Sequence, residues 1–208
     1  MLGRILSIVI GYFFGCLLTA EWIARRYTGQ SAAELGETGN PGMANVMASL
    51  GFWPGIVTLL GDITKCMVAM TVCYLLFHKA GWIITMYAGL GCTLGHIFPF
   101  WRGFRGGKGV ATSSTVMIIY SVLWGLLANL AGMLVAFGTK YLCIAGPIIP
   151  FFFTLFYVLQ GNAEAGILSL LFFLLALYTH GPSISGILTK STSQTDVLGA
   201  VTKYLERK

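Results

Sequence analysis

The sequence predicts an all-α, polytopic integral membrane protein with about seven transmembrane helices. Three observations carry this. Of 208 residues, 56% are hydrophobic and only 10% charged, and mean hydropathy is +0.80, whereas soluble domains are about one-quarter charged. Several apolar runs approach the roughly 20 residues a helix needs to cross about 30 Å of hydrocarbon. The basic residues also gather at alternate ends of those runs, as expected where Lys and Arg stay on the inner side.

The first run covers 2–24. Arg4, the apolar stretch behind it and the small pair Thr19-Ala20 have the layout of a secretory signal. The further apolar runs favour a first span instead, and Phe13-Phe14-Gly15-Cys16 is a poor lipoprotein processing site. Four more runs, at 54–77, 81–100, 141–159 and 163–179, are clear by length. The stretch from Val110 to Gly138 exceeds one span and falls short of two.

Charge parity decides it. With Arg25 and Arg26 inside, the second run leads out to His78-Lys79 and the third returns to Arg102, Arg105 and Lys108. If 110–138 crosses twice, Lys140 and the tail with Lys190, Lys203, Arg207 and Lys208 also fall inside, and Glu164 stays outside. Seven crossings result, the fourth and fifth short or tilted, with the amino terminus out and the carboxyl terminus cytoplasmic. No repeat or linker interrupts residues 1–208, so one integral domain is expected.

The net charge of +6 would suggest nucleic acid in a soluble chain; here it belongs to loops, and no nucleic-acid partner is expected. Cys16, Cys66, Cys73, Cys92 and Cys143 lie in or beside apolar runs without disulfide or zinc spacing. Neither a metal nor a cofactor is implied.

Chemistry is expected in the loops of one membrane face. Glu34 to Val46, with Asn40, Gly42 and Asn45, is too polar and too glycine-broken to span. Gly95 to Thr112 gathers Arg102, Arg105 and Lys108 with five glycines just before a new helix. Gly106, Gly107 and Gly109 let backbone N–H groups approach a ligand, the helix amino terminus adds positive potential, and Lys108 adds a full charge. That composition suits an anion such as phosphate. A Walker A loop is excluded, because Gly109 stands where a Ser or Thr is required. The plainer alternative is that the three cations only set topology and touch lipid headgroups. His96 and His180 sit at the same membrane face, so each is either a hydrogen-bonded structural residue or part of one site with the cradle. His78 lies opposite. Asp62 and Lys65 lie inside the second run, either functional or as an acid beside a snorkelling lysine.

Gly39-Asn-Pro-Gly-Met-Ala-Asn-Val46, Asp62-Ile-Thr-Lys65, Gly95-His-Ile-Phe-Pro99 and Gly106-Gly-Lys-Gly-Val-Ala-Thr112 resemble the bacterial PlsY family of acyl-phosphate-dependent glycerol-3-phosphate acyltransferases. The resemblance implies seven helices with the motifs on the cytoplasmic face of the bacterial cell membrane. It also implies acyl transfer from acyl phosphate to glycerol 3-phosphate, forming lysophosphatidate for phospholipid synthesis among membrane lipids. It assigns catalysis to Thr38, Lys108 and His180. Binding of substrate and phosphate falls to Asn40, Gly42, Asn45, His96, Arg105, Gly106, Gly107, Gly109, Thr112 and Ser183. Oligomeric state is not implied.

The chain departs from the family pattern in two places. Thr38 stands for a serine and Ala48 for an arginine in the first motif; Ser183 and Gly186 replace an asparagine and an arginine in the third. A divergent member that binds acyl phosphate or lipid phosphate without turnover, or one that uses another polyol phosphate, is therefore weighed beside the enzyme. A small transporter ranks last, because inverted hydropathy halves are missing. No histidine is followed five residues later by aspartate, and no Gly-x-Ser-x-Gly elbow occurs, which argues against two soluble-enzyme classes.

Overall fold

The computed structural model describes residues 1–36 and 39–192. Thr38, together with Lys203, Arg207 and Lys208 of the basic tail, lies outside them. The described residues form nine α-helices and two single 3₁₀ turns, at His78–Ala80 and Phe100–Arg102, with no strand among them. Two compact units divide the chain, Met1–Val122 and Leu123–Lys208.

The first unit holds α1 (Leu2–Gly15), α2 (Thr19–Thr28), α3 (Met43–Leu50), α4 (Phe52–Phe77), α5 (Ile84–Ile97) and α6 (Val110–Tyr120). The expected single helix over 2–24 is broken between Gly15 and Thr19. A break in an apolar segment strands backbone carbonyls, which must find donors. Here Lys65 Nζ donates to Gly15 O and Leu17 O, and Trp101 Nε1 donates to Cys16 O. Three successive carbonyls are thereby satisfied by side chains from elsewhere in the unit.

Close packing of α1 on α5 sets the geometry around that break. Gly11 and Gly15 on α1 face Gly91 and Gly95 on α5, each pair four residues apart. A Cβ on any of the four would collide with the facing backbone: Ala88 O, Cys92 O, Ile8 O and Tyr12 O respectively. This is the small-residue crossing that lets membrane helices touch backbone to backbone. It brings the C-terminal end of α5, with His96, against the α1–α2 break.

The run expected over 81–100 is helical only as α5, 14 residues or about 21 Å long. Gly81, at φ 83°, precedes it, and Phe98-Pro99 leaves the helical conformation after it. Val110 to Gly138 divides into α6, of 11 residues, and α7 (Val122–Thr139), parted at extended Ser121 (φ −148°, ψ 101°). Among the described residues, five segments are long and apolar enough to cross a membrane: Leu2–Thr28, Phe52–Ala80, Val122–Thr139, Leu142–Leu159 and Ala163–Leu188. Large apolar side chains such as Ile5, Leu75, Leu130, Leu159 and Ile167 stand exposed, as lipid-facing helices require.

In the second unit α7 is followed by α8 (Leu142–Leu159) and α9 (Ala163–Leu188). Trp124 stacks on Phe156 with ring centroids 3.5 Å apart, and Gly132 makes room for Ile149. The expected end of the last run at 179 is too early. Helix α9 continues to Leu188 and carries His180, Pro182 and Ser183 inside it.

Candidate functional site

A buried charged cluster lies at the centre of the first unit. Lys65 and Asp62, one turn apart on α4, form an ion pair at 2.8 Å, and Lys65 Nζ lies 2.8 Å from His96 Nδ1 on α5. Asp62 Oδ1 is 3.5 Å from the same ring nitrogen. Exposures of 2%, 6% and 4% for Asp62, Lys65 and His96 put all three out of solvent's reach. Lys65 therefore does not snorkel. An ammonium can only donate, so Nδ1 accepts and the neutral ring carries its proton on Nε2.

His96 in turn grips the glycine-rich loop. Its carbonyl accepts from Gly107 N–H at 3.0 Å, and Ile97 O accepts from Gly106 N–H at 2.8 Å. The imidazole edge lies so close to Gly107 that a Cβ there would run into Nε2, and a Cβ on Gly106 would run into His96 O. These glycines are required by the close approach of α5. Their N–H groups are committed to the carbonyls of Ile97 and His96. Thr112 is fully buried; it donates to Gly109 O at 3.0 Å and accepts from Thr93 at 3.1 Å. Gly109, at φ 80°, caps α6 and can hold that conformation without strain. Half-buried Lys108 stands between these two anchored ends, next to the amino terminus of α6.

Three further bonds fix the approach to this loop. Tyr12 donates to Phe98 O at 2.7 Å, Trp101 reaches Cys16 O, and Arg102 Nη1 donates to Arg105 O at 3.2 Å. Arg105 itself is exposed.

Arg102 also ties the two loops together. Its Nη2 donates to Ser31 Oγ at 2.9 Å and lies 3.6 Å from Glu21 Oε2. Glu21 is only 4% exposed; Ser31 Oγ, Ala32 N–H and Arg25 Nε all donate to it, at 3.0, 3.0 and 2.7 Å. The sequence reading missed Glu21, although an acid inside an apolar run and four residues before Arg25 is a visible signal. The paired glycines of α1 and α5 were also missed, and their spacing of four is equally visible.

In the first loop, Asn45 Nδ2 donates to Ala32 O and Leu35 O, at 3.1 and 2.9 Å, and its Oδ1 leaves no space for a Cβ on Gly36. Asn45 thus shapes the loop from within, instead of standing open to a ligand. Asn40 O accepts from Gly42 N–H at 2.8 Å, and Gly42 caps α3. Ala48 is exposed on α3. Among the described residues, no three His, Cys, Asp or Glu side chains converge to hold a metal.

His180 belongs to the second unit and is 3% exposed. Its Nδ1 lies 2.9 Å from Ala176 O, one turn back, and 3.1 Å from Thr179 Oγ1. The other edge of the ring packs on Gly146 of α8, where a Cβ would come within 2.5 Å of Cε1 and Nε2. Ser183 O accepts from Thr192 Oγ1 at 2.8 Å.

Helices of this kind, long and apolar, with a cationic glycine loop folded onto the end of one of them, define a multi-pass membrane protein. The chain belongs to the glycerol-3-phosphate acyltransferase family, whose model matches residues 5–190. It is 33% identical over 204 residues to glycerol-3-phosphate acyltransferase 1 of Lactobacillus johnsonii, and 35% identical over 204 residues to that of Lactobacillus acidophilus. In each case the match covers 98% of both chains. The fold is similar to the crystal structure of PlsY, an integral membrane glycerol 3-phosphate acyltransferase, in its glycerol 3-phosphate form. The TM-score is 0.83 at 25% identity, covering 95% of this chain and 98% of that one.

Proposed function

We propose that this protein transfers a fatty acyl group from an acyl phosphate to glycerol 3-phosphate, releasing phosphate and forming lysophosphatidate for phospholipid synthesis. The observation that carries the reading is the loop 106–109, pinned to α5 at Gly106 and Gly107 and to α6 through Gly109 and Thr112, with Lys108 held between them. A membrane protein can keep a fatty chain among its helices and bring both phosphates to such a cation, which lowers the entropic cost of reaction. Lys108 and the start of α6 would stabilise negative charge as it develops, the largest expected contribution. Thr38 and His180 complete the catalytic set, with His180 orienting the acceptor hydroxyl. Asn40, Gly42, Asn45, His96, Arg105 and Ser183 serve binding, several of them by shaping loops.

The same reading takes the chain as one integral domain, since the family match runs through both units. It has seven crossings, the amino terminus outside, and the site facing the cytoplasm of a bacterial cell. The division of 110–138 into two helices supports the even number of crossings that charge parity requires there.

The test is an acyl-transfer assay on detergent-purified protein with palmitoyl phosphate and labelled glycerol 3-phosphate. Labelled lysophosphatidate is expected, reduced about 100-fold or more by Lys108→Ala. No product from folded protein overturns the reading. Product only with another polyol phosphate would replace the acceptor, an outcome the uncharged Ala48 makes worth including.

A further inference from the structure

Asp62 and Lys65 have no part in the reaction just proposed and His96 serves it only by shaping the loop, yet buried charges cost several kcal/mol each unless they are paired. One role is evident: Lys65 satisfies Gly15 O and Leu17 O at the break between α1 and α2. That role does not need His96. A lysine donating to two carbonyls with Asp62 beside it would be complete, and the imidazole could be any apolar group. Instead Lys65 Nζ also lies 2.8 Å from His96 Nδ1. His96 is also the residue whose carbonyl holds Gly107 and whose ring edge abuts it, one position before Lys108.

The connections therefore form a continuous path. Asp62 fixes Lys65 on α4, Lys65 fixes the rotation of the His96 ring on α5, and His96 fixes Gly107 from two sides. On the far side of Lys108, Gly109 O receives the Thr112 hydroxyl, which Thr93, also on α5, holds in place. Both ends of the loop thus take their position from the last turn of α5. The ion pair is the element that locks this turn against α4.

We infer that Asp62, Lys65 and His96 are positioning residues that set the placement of Lys108 through Gly107, so that the cluster governs affinity for the phosphate-bearing substrate held by this loop. The inference rests on the acyltransferase reading. A one-ångström error in such placement is enough to cost a large factor in rate or affinity, and the path from Lys65 to Gly107 consists of contacts too short to absorb one.

The experiment uses the full chain in detergent and measures kcat and both KM values, with palmitoyl phosphate and glycerol 3-phosphate varied in turn. Lys108→Ala identifies the substrate whose KM depends on the loop. Asp62→Asn and His96→Ala are expected to raise that same KM about tenfold or more and to leave the other KM within about twofold. The double variant Lys108→Ala/His96→Ala is expected to fall within about twofold of Lys108→Ala alone, because both changes act on one group. If His96→Ala does not fold, His96→Asn replaces it, keeping an acceptor near the Nδ1 position while removing the edge that meets Gly107. Thermal unfolding confirms that each variant compared is folded.

Unchanged KM values in folded cluster variants overturn the inference, as do losses spread over kcat and both KM values that multiply in the double variant. The underlying reading fails differently. A folded wild-type chain that gives neither lysophosphatidate nor a rise in Tm with inorganic phosphate has no anion loop to position, and both proposals fall together.

Discussion

His96 and His180 are buried to the same degree, near the C-terminal ends of apolar helices, but they are held in opposite ways. His96 is fixed from outside its helix by an ion pair on α4, and it passes that constraint to the neighbouring loop. His180 is fixed by its own helix, through Ala176 O one turn back, and by the glycine it packs against on α8. A ring held by another element couples two parts of the fold; a ring held by its own turn can be changed with local consequences.

That difference is open to attack. The largest effect is expected for Lys65→Met, which leaves Asp62 buried without its cation and should cost about 3–5 kcal/mol. Denaturant or thermal unfolding reads this directly. Replacing both partners, in Asp62→Leu/Lys65→Met, should recover a large part of it, since an apolar pair carries no desolvation penalty. A loss under about 1 kcal/mol for the single change would mean that the pair is not charged and that the two histidines differ less than their surroundings suggest.

Next comes Gly95→Ala, whose methyl would meet Tyr12 O on α1. Forcing α1 and α5 apart should cost about 1–3 kcal/mol and lower Tm accordingly. The same change at Gly181, which has open space, should do far less. Glu21→Gln keeps the shape but weakens the charge-assisted bonds from Ser31, Ala32 and Arg25, for about 1–2 kcal/mol. Faster proteolysis of the 29–36 segment with an intact helical core is the expected signature. The smallest stability effect is expected for His180→Phe, about 1 kcal/mol for one local hydrogen bond. Acyl transfer should nevertheless fall at least about tenfold, and activity that falls only as far as stability does would remove His180 from the site.

Much of the fold is legible because burial in lipid leaves a strong mark on composition. The runs at 54–77 and 141–159 are α4 and α8 within two residues at each end, and the stretch 110–138, too long for one span, holds the two helices α6 and α7. The break after Gly15 is hidden because no proline or charge marks it; the donors that satisfy its carbonyls come from Lys65, fifty residues away in the chain, and from Trp101. The true end of α9 is hidden too, since Gly181, Pro182 and Ser183 read as loop residues, yet the helix runs through them to Leu188.

The site divides in the same way. Residue type made Lys108 and the glycines stand out, and the family resemblance extended the set to Thr38, which lies outside the described residues. What the sequence could not reveal is the direction of each polar group. Gly106, Gly107, Asn45 and Thr112 all turn their donors to the protein. A motif names the residues that a site needs without saying whether each one touches the ligand or holds its neighbour.

The backbone contact between α1 and α5 also imposes a timetable on biosynthesis. Gly11 cannot meet its partner until the chain has grown by about eighty residues, roughly 4–16 seconds at about 5–20 residues per second. Until then the first helix waits in the bilayer with a bare glycine seam, and Gly15 O and Leu17 O wait for Lys65. A ribosome stalled before residue 91 would leave that seam open to other helices or to quality-control proteases, so any factor that shields a newborn glycine-rich helix would have its greatest effect on this protein within that interval.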